Sequence, residues 1–145
     1  MNKNKLNENE THFIDTWDYG IKKLIKNLLQ QNQKISQIIG NNIFYNHDSK
    51  KDNYITIEIN SIKELPPNRA KADITISIFI NNTNQKLDQE DDIIINEIKK
   101  IFFNEINFHE YHEQYVNKNI IMFQKGIKQS KNISHITYDA FIKIF

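Results

Sequence analysis

The densest cluster of chemically versatile side chains is His109-Glu110-Tyr111-His112-Glu113, two imidazoles and two carboxylates within five residues. Such groups are donors for zinc or another divalent cation. In the H-E-x-x-H pattern of zinc hydrolases the histidines stand at i and i+4, on one face of a helix. Here they are three apart, in a stretch (NFHEYHEQYVN, 107–117) with no helical period. No third ligand is signposted; His47-Asp48 and His135 are the remaining candidates. The stretch therefore reads as a polar, aromatic connection between a helix and a strand. A metal-dependent enzyme using His109 and His112 is the competing reading. With three glycines in the chain, no P-loop, dinucleotide fingerprint or G-x-S-x-G elbow is present. No catalytic residue, metal or cofactor is expected.

A second group of residues points to contacts instead of catalysis. Arg69 is the only arginine, and it follows Pro66 and Pro67, the only prolines, in PPNRAKADITISIFI (66–80). Its planar, multi-donor fork suits a carboxylate or backbone carbonyls across an interface; a solvated surface position is the alternative. Phe79, Phe141 and Phe145 fall on the outward phase of two alternating segments, where an isolated subunit favours polar residues. Either a partner or one of the chain's own helices must cover them.

The elements that carry these residues follow from periodicity. Ile14, Trp17, Ile21, Leu24, Ile25 and Leu28 recur at helical steps, with acids early and lysines later, which suits the helix dipole. A short helical piece over 34–39 is stopped by Gly40. The period then becomes two. Residues 42–45 form a short strand, 46–53 a polar turn, and 54–60 alternate Ile55, Ile57 and Ile59 with polar residues. The two prolines interrupt pairing before a strand over 70–80. A helix over 87–103 has Asp88 as its cap, Glu90, Asp91 and Asp92 in its first turns, and an apolar stripe of Ile94, Ile98, Ile101, Phe102 and Ile106. Strands over 119–127 and 133–145 close the chain as a hairpin. This order predicts an α+β fold: a mostly antiparallel sheet of four to five strands with two main helices packed on it. Residues 1–10 are read as a flexible tail and 11–145 as a single domain.

Composition bounds function loosely. Ile, Asn and Lys make up nearly half of the chain, the mark of an AT-rich genome, so an individual lysine or asparagine carries little information. Nineteen Lys and Arg stand against eighteen Asp and Glu, which leaves no basic excess for specific nucleic-acid binding. The absence of cysteine excludes disulfides and thiolate metal sites. No apolar run reaches the ~18 residues of a membrane span, and the polar start MNKNKLNENETHF is not a signal peptide.

Taken in order, HFIDTWDYGIKKLIKNLL, NYITIEINSIKEL, RAKADITISIFI, LDQEDDIIINEIKKIFF and SHITYDAFIKIF resemble the long first helix, β-hairpin, second helix and closing strand pair of tail terminator (tail completion) proteins of long-tailed bacteriophages. The likeness spans about residues 11 to 145 and lies in element order and strand patterning, with no short motif. It implies a non-enzymatic homo-oligomer, usually a hexameric ring, that terminates the tail tube and joins it to the head–tail connector. The subunit would assemble in the bacterial host cytoplasm and reside in the virion. Other readings are a protein-binding adaptor or an inhibitor from a mobile element.

Overall fold

The computed structural model describes residues 19–45, 53–67, 69–80, 90–102, 106–107, 118–130 and 132–144. Among them are three helices, α1 (19–31), α2 (Gln33–Ile39) and α3 (Glu90–Ile101). Six strands form one sheet: β1 (Ile43–Tyr45), β2 (Tyr54–Leu65), β3 (Arg69–Phe79), β4 (Ile106–Asn107), β5 (Lys118–Gln129) and β6 (Ile133–Ile144). The strand order is β1-β2-β3-β6-β5-β4, antiparallel throughout except for the parallel β1–β2 pair. The fold is thus the expected α+β arrangement. The sheet has six strands where four to five were expected, and the short α2 adds to the two main helices.

One face of the sheet is apolar. Along β3 the buried set is Ala70, Ala72, Ile74, Ile76 and Ile78, and along β6 it is Ser134, Ile136, Tyr138, Ala140 and Ile142. All of these but Ser134 pack in one cluster with Ile21, Leu24, Ile25 and Leu29 of α1, Ile35 and Ile39 of α2, and Ile94, Ile95 and Ile98 of α3. The helices therefore cover that face, and no helix among the described residues lies on the opposite one. Burying an aliphatic side chain of this size contributes roughly 1.5–3 kcal/mol, so this isoleucine layer is the main source of stability.

Two β-bulges keep the apolar phase in the long strands. In β2 the register moves from Ile59↔Ile74 to Ser61↔Asp73, which leaves Asn60 as the inserted residue. Ile62, three positions after Ile59, thereby returns to the core side opposite Ala72. In β5 the shift lies between Gln124 and Gly126, with Lys125 inserted, so that Ile127 meets Ile136. The first bulge explains why β2 continues to Leu65, past the end at Asn60 that strict alternation suggests.

One further boundary differs from expectation. Ile106 does not extend the helical stripe; it lies in β4, paired with Ile120. Since β1 and β2 run parallel, with Ile43 beside Ile55, they are not the arms of a hairpin. The cap expected at Asp88 lies outside the described residues.

The helix junctions are tied by polar groups. Asn32 separates α1 from α2; its Oδ1 accepts from the Ile35 amide at 3.0 Å and its Nδ2 donates to Glu97 Oε1 at 3.2 Å. Glu97, nearly buried on α3, also takes Lys100 Nζ at 3.1 Å and sits 4.0 Å from Lys34 Nζ. These donors, Asn32 first and then Lys100, hold the Glu97 carboxyl below the usual glutamate range. Gly40 ends α2 at φ 60°, where a Cβ would be strained, and its amide donates to the Ser36 carbonyl at 2.8 Å.

Candidate interaction surface

The uncovered face is organised in rows that cross β2, β3, β6 and β5. At one end Tyr54, Phe79 and Ile133 lie in register. Tyr54 and Phe79 stack at 4.3 Å with planes 8° apart, and Phe44 meets the Tyr54 ring edge-on at 6.2 Å. Phe79 is accordingly half-buried within an aromatic row and is not presented alone. In the next row Ser77 Oγ lies 2.7 Å from His135 Nδ1.

A serine hydroxyl on a histidine ring is the geometry of a nucleophile and its base. Here it is a cross-strand polar pair. Ser77 is 6% exposed, no described carboxylate bonds to His135, and the flanking backbone belongs to a paired ladder that leaves no amides for an oxyanion.

Further along, Asp73 and Asp139 face each other directly across the β3–β6 pair. Like charges in this position repel, and the inserted Lys125 answers them. Its Nζ reaches Asp73 Oδ1 at 2.8 Å and Asp139 Oδ1 at 3.4 Å, with Lys71 Nζ 3.9 Å from Asp139 Oδ2. The bond to Asp73, followed by that to Asp139, raises the Lys125 ammonium above its ordinary range. The β5 bulge therefore has a charge role as well as a packing one.

Beside this cluster lies the exposed apolar surface. Phe123 and Phe141 meet edge-to-face at 5.7 Å, Lys71 Nζ sits 5.7 Å over the Phe141 ring, and Ile121 stands opposite Phe141. The exposures of Ile121, Phe123 and Phe141 are 38%, 55% and 38%, too high for core residues and contiguous in space. Phe141 was legible in the sequence. Phe123 and Ile121 were not, because IIMFQ is an unbroken apolar run that shows no phase until β5 is paired with β6.

Arg69 is exposed at the start of β3 and donates from Nη2 to the Pro66 carbonyl at 3.5 Å, across its own turn. It lies in the row next to Phe141. Phe79 is ten residues away along β3, about 33 Å at the rise of a strand. The structure therefore brings Arg69 and Phe141 to one end of the face and leaves Phe79 at the other. Phe145 and the His109–Glu113 cluster lie outside the described residues. Among the described residues no group of three His, Asp or Glu side chains is placed to hold a metal.

On the helix side, a cavity of about 400 Å³ is lined by Lys99, Phe102, Met122, Phe123, Gln124 and Tyr138. The Tyr138 ring packs edge-on against Phe102 at 5.6 Å, and its hydroxyl is buried with no hydrogen-bond partner among the described residues. Burial holds this phenol protonated well above the ordinary tyrosine range. Near the β1 edge, burial and then the Tyr19 phenol push Tyr45 up to about 12, with Lys26 Nζ 5.2 Å over its ring.

No protein-family model matches the chain, and no curated protein matches it. Among the described residues no helix is long and apolar enough to cross a membrane.

Proposed function

We propose that this protein is a non-enzymatic assembly subunit that works by protein–protein contact through the uncovered sheet face. The observation that carries the reading is the contiguous Ile121, Phe123 and Phe141 patch, bordered by the Lys71, Asp73, Lys125 and Asp139 charges. An apolar centre with a mixed-charge rim has the anatomy of a protein interface. Nearly equal numbers of acids and bases suit a subunit that packs against copies of itself.

Within that class, the element order supports a tail terminator of a long-tailed bacteriophage. Such a subunit would form a closed ring, expected to be a hexamer, on the tail tube and meet the head–tail connector. Its place would be the virion, after assembly in the host cytoplasm. Arg69 and Phe141 fall at one end of the proposed contact face, with Phe79 and Phe145 as further proposed contacts.

The test is mass determination by size exclusion with light scattering, alone and with purified tail tubes or connector. Ring-sized species support the assembly reading, and binding to a tube end or the connector supports the tail-terminator reading within it. A subunit that stays monomeric and binds neither refutes it. A Phe123→Ser/Phe141→Ser variant should lose the binding while keeping its fold, because both rings are solvent-exposed.

A further inference from the structure

Among the described residues, the two long flanking strands are largely open at their outer edges. β1 pairs only with Ile55–Ile57 of β2, so 58–65 has no described neighbour on that side. β4 pairs only with Asn119 and Ile120 of β5, and 121–129 is likewise open among the described residues. An open edge presents a row of unpaired amides and carbonyls, the template for another strand.

We propose that the 121–129 edge of one copy pairs antiparallel with the 58–65 edge of the next, joining subunits head to tail into one continuous sheet. This rests on the self-assembly reading above and gives the copy-to-copy contact an edge surface beside the proposed contact face. Three observations favour a second copy as the occupant.

The directions fit. β2 and β5 lie at opposite sides of the β2-β3-β6-β5 block and run antiparallel to each other. Copies set side by side in one orientation therefore continue the antiparallel alternation, with all helices on one side. The two edges differ, so the contact is heterologous, the kind that closes into a ring.

The charges fit as well. The β5 edge carries Lys128, and Lys125 already paired with Asp73 and Asp139, with no acid of its own, whereas the β2 edge carries Glu58 and Glu64 with one base, Lys63. One register brings several of these side chains into matching pairs. Setting Glu58 opposite Lys128 on the outer face places Ile59 opposite Ile127 on the core face, both being partly buried aliphatics at the rim of the core. It also places Leu65 opposite Ile121, and it brings the inserted residues Asn60 and Lys125 within one position of facing each other. The two kinks then coincide, so neither blocks pairing.

The test uses charge exchange between two exposed side chains. Glu58→Lys and Lys128→Glu are each made alone and together in one chain, with circular dichroism as the fold check. Each single variant puts like charges across every contact, so association should weaken about tenfold or more and the mass should fall toward one subunit. The double variant restores opposite charges and should regain the parental mass. Single variants that keep the parental mass, or a double variant that stays dissociated, overturn the edge pairing without touching the tail reading. A wild-type chain that remains monomeric at millimolar concentration also overturns it. Parental-size rings that bind no tube or connector leave the edge pairing standing and sink the tail reading.

Discussion

Replacing Tyr138 by Phe removes one oxygen from the least satisfied position in the described core. The hydroxyl is buried and lacks a hydrogen-bond partner among the described residues, while the ring is held by Phe102 at 5.6 Å. A hydroxyl moved from water to such a site without a replacement bond costs roughly 1–3 kcal/mol. Phenylalanine keeps the ring, its edge contact and its burial, and it carries no such penalty. Tyr138→Phe should therefore stabilise the fold by about 1 kcal/mol, since the cavity beside the ring relieves part of the cost. For a chain of this length that is a rise in Tm of about 3 °C. Thermal unfolding followed by circular dichroism, paired with urea titration, gives the measurement; the urea midpoint should rise while the slope m stays constant. A fall in Tm of similar size would show that the hydroxyl is hydrogen-bonded and would refute the reasoning. As a control, Phe102→Ala should destabilise by about 3–5 kcal/mol through loss of packing.

Three other outcomes are expected. Glu97 is held below its ordinary value by Asn32 and Lys100, so its contribution is complete above about 4.5 and is lost as the pH falls through the folded value; Glu97→Gln should flatten the acid limb of the stability–pH curve. Lys125 is raised, so its contribution is complete below about 10.5 and is lost as the pH climbs beyond it; Lys125→Met should lower stability at neutral pH and erase that alkaline loss, read by urea midpoints across the range. Deleting Asn60 heals the β2 bulge and leaves Ile62 facing the core, so it should shift Tm by only a few degrees, whereas deleting Thr75 from the central strand β3, which pairs with β6 without a bulge, turns one side of that strand over and should leave the chain largely unfolded by circular dichroism.

The parts of this fold that were legible in the sequence are those with an undisturbed period. Ile74, Ile76 and Ile78 alternate without a break, as do Ile136, Tyr138, Ala140 and Ile142, and both strands stand where their pattern puts them. Asn60 and Lys125 mark the limit of that reasoning, because an inserted residue looks like the end of a strand until its partner is known. Ile106 fitted the helical stripe of α3 by spacing alone, and only its pairing with Ile120 assigns it to the sheet. Nothing in the local sequence marks Glu97 as nearly buried, because its partner Asn32 lies sixty-five positions earlier in the chain. The candidate surface was legible in part for the same reason. Phe141 declared its face through alternation, whereas Phe123 needed the β5–β6 register, a non-local fact.

The sheet order also sets how the chain comes together in time. β2 with β3, and β5 with β6, are hairpins whose arms are close in sequence, and each can zip within microseconds. The β3–β6 seam between them joins residues more than fifty positions apart. Its loop closure must come before any contact rewards it. Two quickly formed halves and one slow central join follow. Substitutions along the seam, such as at Ala72 or Ala140, should slow refolding more than equally destabilising ones within either hairpin. On the ribosome, β3 must wait with one side unpaired until β6 has been made, which makes the nascent amino-terminal half the species most exposed to misassembly.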